Sequence, residues 1–353
     1  MSDTVKVNIP QTPVATPVPI TPQPGKFILD QGAFLQKLPF QAHPTPLPGV
    51  FTVPAPPSTL ILATASQSDL IKAGIMFRQP TAQDPPGVQA AWKAFTSQHF
   101  DPAKRIIPEM APQVGVTHNL KTPPTQVSNT SYNGTVWSGA GTKTGTWTTC
   151  IGTWVIPTVS KPSEAQGTEG GWNSSSWVGL DGFFYTNDVL QAGIQQHVNA
   201  AGVANYVAWY EWYAPIQAGS PSYVYQTNIT NFPVSPGQTV SCSVQYVANH
   251  AGSISFSNQT TGQHFTITLA PPPGATNSGG SCEWIMEAPD GGEPKSSLPK
   301  FTPVVFTTAL ACGPNNTSTN PATGDTLNIT TSSGKVLTKV TTGSDTCTIS
   351  FIG

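Results

Sequence analysis

From Tyr132 to Gly353 the chain holds no long helical period. Short runs rich in aromatic and β-branched residues follow one another instead: Trp147–Ile156, Trp177–Leu180, Tyr206–Tyr213 and Thr346–Ile352. Clusters of Gly, Pro and Asn separate them, which is the signature of strands joined by turns. Val240–Val247 alternates with period two, so one face of that strand is meant for a core. Asn258–Gln263 sits between two such runs and predicts a hairpin, as does Ser332-Ser333-Gly334 between Leu327–Thr331 and Lys335–Thr341. The pattern predicts an all-β fold, an antiparallel β-sandwich, over residues 126–353.

The front of the chain reads differently. Pro13–Pro24 and Pro44–Pro57 carry proline every few positions, which excludes helix and central strand and predicts an extended or disordered segment over residues 1–60. Residues 61–125 predict short helices. Ser68-Asp69 is read as a cap for one running through Leu70, Ile71 and Ile75, and Val88, Ala91, Trp92 and Phe95 recur at amphipathic spacing in the other. Another loose stretch, 111–131, leads into the back half. Residues 61–125 are therefore expected to be a propeptide, a lid or an accessory piece.

Charge is sparse, at 9% of residues, and uneven. Residues 1–125 hold nine Lys/Arg against six Asp/Glu, and residues 126–353 hold six Lys against eleven Asp/Glu. No basic surface for nucleic acid is indicated, and no apolar run is long enough to span a membrane. Few ion pairs would also suit work in acid, since protonation destroys such pairs. Met1–Lys6 does not begin a secretory signal, so export by another route, a start upstream and retention inside the cell all stay open. Cys150, Cys242, Cys282, Cys312 and Cys347 form no CxxC and match no zinc template; one or two disulfides and five buried thiols are both compatible with them.

No HExxH and no GxSxG occurs, and the six histidines are scattered. Gly139–Thr144 lacks Walker spacing and reads as a turn. The few carboxylates of the back half are more informative. Along Ser281–Glu287, alternation places Glu283, Ile285 and Glu287 on one face and Cys282, Trp284 and Met286 on the other, toward the core. Glu211 shares a face with Val207, Trp209 and Tyr213. A carboxylate among aromatic rings is costly to ionise unless something stabilises it, and so is a functional candidate; a satisfied structural carboxylate is the plainer alternative.

Six blocks in one order resemble the eqolisin family of glutamic peptidases: Tyr132–Ala140, Trp177–Gly182, Leu190–Gly193, Ala208–Tyr213, Asn258–Gln263 and Cys282–Glu287. The resemblance runs from about Tyr132 to about Ala309 and weakens from Cys312 onward. It implies two large curved sheets, concanavalin- or jelly-roll-like, with a substrate cleft on one concave face. It also implies Glu283 and Gln191 as the catalytic pair. Chemically, a carboxylate of ordinary pKa near ~4.3 can take a proton from water and pass it to the leaving amine. A neutral amide can donate to the oxyanion at any pH.

Trp137 and Trp177 match tryptophans of the family's cleft. Asp181 and Glu211 match acidic residues beside the pair, expected to orient Gln191 or Glu283 by hydrogen bonding. Glu287 lies about 13 Å along the strand from Glu283 and is expected to meet substrate or solvent. Ala192 and Ala288-Pro289 depart from the family pattern, which bears on substrate preference. Protein or peptide substrates, a monomer acting outside the cell, and no cofactor or metal are implied. Lys104-Arg105 is expected to cover Glu283 at neutral pH, with self-cleavage in acid between about Pro108 and Ser131. A β-sandwich glycosidase using Glu283 and Glu211, or a carbohydrate-binding module using exposed aromatics, are the rival readings.

Overall fold

The structure is a computed structural model and describes residues 27, 29–96, 101–118, 123–162, 171–184, 187–217, 219–247, 250–289 and 298–353. Among these, two ten-stranded sheets and one two-stranded ribbon account for the strands. The sheets pack face to face as the expected sandwich. Their shared core draws Trp284, Met286, Val178, Leu190, Tyr210 and Trp212 from one sheet and Trp154, Val240, Val244, Phe256 and Phe306 from the other. Each fully buried side chain of this size contributes about 1.5–3 kcal/mol. Trp284 also spans the layers, its indole N–H donating to the Ile151 carbonyl at 2.8 Å.

The sheet that matters for function runs, in spatial order, through Met110–Pro112, Thr227–Ile229, Ala204–Tyr213, Val189–Val198, Trp172–Leu180, Cys282–Glu287, Trp137–Gly141, Asp325–Ile329, Ser131–Gly134 and Thr125–Ser128. Its inner face feeds the core. Its outer face carries a second aromatic cluster of Trp137, Trp177, Phe183, Trp209 and Ile285. The period-two alternation read from Ser281–Glu287 is realised: Cys282, Trp284 and Met286 enter the core, and Ile285 joins the outer cluster.

Two local expectations fall short for physical reasons. Asn258–Gln263 does join two paired strands, Gly252–Asn258 and His264–Leu269. Ser332–Gly334, however, closes only a short hairpin, in which the Thr331 N–H donates to the Lys335 carbonyl and the Leu337 N–H to the Ile329 carbonyl, both at 2.8 Å, and the longer flanking strands do not extend it. Asp325–Ile329 pairs with Trp137–Gly141 in one sheet, whereas Thr338–Thr342 pairs with Cys347–Phe351 in the other. The chain changes layers there, and a single bridge, Thr330 to Val336, remains. The cap of the helix Gln67–Lys72 is Ser66, not Ser68, because its hydroxyl accepts from the Asp69 N–H.

The front segment is more structured than its prolines suggested. Pro13–Pro24 lie outside the described residues. Beyond them, Gln31–Gln36 is helical, and Val50–Thr52 pairs with His264–Leu269 on one side and with His43–Pro44, the edge of that sheet, on the other. An edge is where a proline-flanked strand is tolerated. Helix Pro86–Thr96 buries Val88, Ala91 and Phe95 as its spacing predicts. With Leu70 and Phe77 these residues pack against Ile151, Leu310 and Cys312, on the sheet opposite the aromatic outer face. The expected loose stretch 111–131 holds edge strands at both ends. All five cysteines are buried thiols.

Candidate active site

Register lines up five strands at one level. Gln191 pairs with Glu211 on one side and Gly179 on the other; Gly179 pairs with Glu283, and Glu283 with Gly141. Their side chains therefore share the outer face. Gln191 and Glu283 are two strand spacings apart, about 10 Å at the backbone, with glycine between them. A methyl group at Gly179 would meet Glu283 Oε1 at 2.7 Å and the Trp177 ring at 2.8 Å. The row thus sets an amide and a carboxylate on either side of a glycine over which the Glu283 carboxylate and the Trp177 ring close.

Glu283 is wholly buried, and neither carboxylate oxygen has a hydrogen-bond partner among the described residues. Burial pushes its carboxyl well above the usual range. The neighbouring Cys282 and Asp181 push the same way, and Ser281 opposes them weakly. The ordinary carboxylate pKa expected from sequence does not hold in this closed arrangement, because desolvation disfavours the charged form.

Gln191 is equally buried. Its Nε2 donates to the backbone carbonyl of His118 at 2.7 Å and to Glu211 Oε2 at 3.2 Å. Glu211 Oε2 also accepts the His118 backbone N–H at 2.9 Å. Glu211 therefore orients Gln191 directly. Asp181 does not touch either member of the pair. Its oxygens accept from the Tyr246 hydroxyl at 2.7 Å, the Ser278 hydroxyl at 2.6 Å, and the N–H groups of Gly279 and Gly280 at 3.0 and 2.8 Å. It pins the loop that leads into the Glu283 strand, and its own φ is +69°.

Trp177 and Trp137 meet edge to face at 4.8 Å between ring centroids. Trp177 donates its indole N–H to Glu287 Oε2 at 2.7 Å. Glu287 faces neither solvent nor an empty wall, because the same oxygen lies 2.8 Å from Nδ1 of His118. His118 was not singled out by sequence reasoning, nor were Gln226 and Trp209. Yet His118 is fully buried, stacks on Trp209 at 3.9 Å and 7°, and places Nε2 2.7 Å from Gln226 Oε1. His118 lies within the loose stretch 111–131, and no sequence signal marked it.

The expectation that Lys104-Arg105 covers Glu283 is overturned. Arg105 donates to the Val53 carbonyl at 2.6 Å and bridges to His264, both on the opposite sheet. The strand Met110–Pro112 then crosses to the edge of the site sheet, and residues 113–118 run into the slot over Gln191 and Glu211. The turn expected over Gly139–Thr144 begins only after the strand Trp137–Gly141, and Lys143 in it is tied to Asp325 at 2.9 Å and to the Tyr132 hydroxyl at 2.7 Å. Among the described residues no three His, Cys, Asp or Glu side chains converge as metal ligands, and no helix is long and apolar enough to cross a membrane.

Comparison with known proteins agrees with this fold. The profile of the Peptidase A4 family matches residues 135–351, and so reaches past Cys312, where the resemblance in sequence had weakened. The chain is similar to aspergillopepsin-2 of Aspergillus niger, 28% identical over 229 residues that cover 61% of this chain and 77% of that protein. It is also similar to scytalidopepsin B of Scytalidium lignicola, 27% identical over 151 residues, covering 43% of this chain and 50% of that one. Among solved structures, scytalido-glutamic peptidase with a transition state analog inhibitor shares the fold, with a TM-score of 0.51 at 20% identity over 62% of this chain and 98% of that one.

Proposed function

The chain belongs to the Peptidase A4 family and is a glutamic peptidase, and from that premise we propose that Glu283 and Gln191 are its catalytic pair, working in acid on protein chains. One observation carries the reading. Gln191 Nε2 already donates to a peptide carbonyl, that of His118, at 2.7 Å, on the same sheet face as a buried carboxylate whose oxygens have no close hydrogen-bond partner among the described residues.

In the working site the carbonyl of a substrate takes the place of the His118 carbonyl. Glu283, as carboxylate, removes one proton from water as the water oxygen bonds to the carbonyl carbon. The carbonyl oxygen becomes an oxyanion held by the Gln191 N–H. The tetrahedral species then collapses: the C–N bond breaks, Glu283 returns the proton to the leaving amine, and a carboxylic acid and an amine are released. Glu211, fixed on the Gln191 amide, keeps its N–H aimed at the developing charge. Trp137 and Trp177 wall the slot and exclude water from it.

The front segment, residues 61–125, acts in this reading as a propeptide whose residues 113–118 cover the slot. With the slot covered, Glu283 is desolvated and its carboxyl is pushed well above the usual range. Clearing residues 113–118 lets water reach it, and the carboxyl ionises at a more ordinary pH. The segment buries Leu70, Phe77 and Val88 on the opposite sheet, so a cut near the slot would leave it attached. Residues 126–353 would then be the peptidase domain. Hydrolysis of a denatured protein at about pH 3.5, lost in Glu283→Gln, tests the proposal; hydrolysis that persists in this variant contradicts it.

A further inference from the structure

We propose that Trp209, Gln226 and Glu287 form a specificity pocket for a histidine side chain, so that this peptidase cuts on the carboxyl side of histidine. The inference rests on the reading of Gln191 and Glu283 as the catalytic pair. It begins from the way His118 is held. Its backbone N–H donates to Glu211 at 2.9 Å, and its carbonyl accepts from Gln191 at 2.7 Å. Those are the main-chain contacts expected of the residue that contributes the acyl half of the scissile bond. Its side chain therefore marks the pocket that such a residue would fill.

That pocket is matched to imidazole on three sides. The ring lies flat on Trp209, 3.9 Å away and 7° from parallel. Nδ1 faces Glu287 Oε2 at 2.8 Å, and Nε2 faces Gln226 Oε1 at 2.7 Å. Donor counting fixes the polarity. The Gln226 amide nitrogen already donates to Gln195 Oε1 at 2.8 Å and Asn228 Oδ1 at 2.6 Å, so its oxygen is what the ring meets. Glu287 Oε2 also accepts from Trp177. Both ring nitrogens thus meet acceptors, an arrangement completed by the doubly protonated imidazolium, which donates from each nitrogen.

The walls are fixed before any ligand arrives. Trp209 donates its indole N–H to the Ser175 hydroxyl at 2.8 Å. Gln226 is held by Gln195 and Asn228, and Glu287 by Trp177. A pocket whose walls are locked by their own partners discriminates by geometry. Phe or Leu would cover Trp209 and leave two buried acceptors unpaired, which is the setting in which hydrogen-bonding sites reject apolar analogues. Lys cannot stack as a plane. Arg can, but its longer stem does not bring its donors to where the two ring nitrogens lie. In this light the chain's own residue 118 sits in the slot as a tethered substrate mimic.

The test uses the full chain after acid preincubation and a series of peptides that differ at one position, X, occupied by His, Arg, Phe, Leu or Asn. Mass spectrometry locates the cut. The expected result is cleavage after X, with kcat/KM for His at least about 10-fold above that for Phe or Leu. In Glu287→Gln this ratio should shrink by about 10-fold, and Glu283→Gln should cut none of the peptides. Equal rates for His, Phe and Leu, or a His preference untouched by Glu287→Gln, would overturn the pocket while leaving the catalytic pair in place. No cleavage of any peptide by the wild type, or cleavage that survives in Glu283→Gln, would overturn the catalytic pair and the pocket with it.

Discussion

Gln191 and Glu283 stand in one cross-strand row, each paired with Gly179 from opposite sides. The space over Gly179 is taken up by the Glu283 carboxylate and the Trp177 ring. Gly179→Ala places a methyl 2.7 Å from Glu283 Oε1, so the carboxylate must move. A displacement of about 1 Å in a catalytic group costs about 10²-fold in rate. Peptidase assays on this variant should show a loss of that order, with a circular dichroism spectrum like that of the wild type.

The closed slot makes Glu283 a pH-dependent burden on stability. Its folded pKa is raised by burial. Between its unfolded and folded values the folded chain holds a proton that the unfolded chain has released. Stability from this group is therefore complete below the unfolded pKa and falls as pH rises toward the folded one. Glu283→Gln, nearly the same shape without the charge, should raise Tm at pH 7 more than at about pH 3.5. An equal change at both pH values would contradict the sign.

His118 holds the front segment in the slot through its backbone, its ring nitrogens and its stacking face. His118→Ala removes the side-chain contacts alone. The full-length variant should begin to hydrolyse an added peptide with a shorter lag after transfer to acid, by several-fold. A lag unchanged from wild type would show that the segment is held elsewhere.

Asp181 is a structural carboxylate with four donors on its two oxygens. Asp181→Asn keeps the shape but turns one acceptor into a donor facing donors. Losing such buried hydrogen bonds costs about 1–3 kcal/mol. Thermal unfolding should shift down by several degrees, whereas kcat measured well below Tm should stay within about 10-fold of the wild type.

Much of this was legible in the chain. Alternation along Ser281–Glu287 sorted Glu283 from Trp284 because a sheet with one face on a core enforces period two. Helix Pro86–Thr96 was legible for the same reason at period 3.6. The layer change after Ile329 was not, because a turn sequence such as Ser332–Gly334 says that the chain reverses but not which neighbour it meets. The cover over the slot was misread as well. Net charge pointed to Lys104-Arg105, but long-range charge is cheap to satisfy anywhere on a surface. What seats a segment in a buried slot is a set of short, directional contacts, and a lone His118 in a loop gives no sequence sign of making five of them.

The central claim is the pair itself, and the most direct measurement is hydrolysis of a denatured protein at about pH 3.5 by wild type, Glu283→Gln and Gln191→Ala, after acid preincubation and with an aspartic-peptidase inhibitor present. The account predicts turnover in the wild type, none in Glu283→Gln, and a loss of about 10²–10³-fold in Gln191→Ala, the cost of one oxyanion donor. Turnover in Glu283→Gln at the wild-type rate would contradict it.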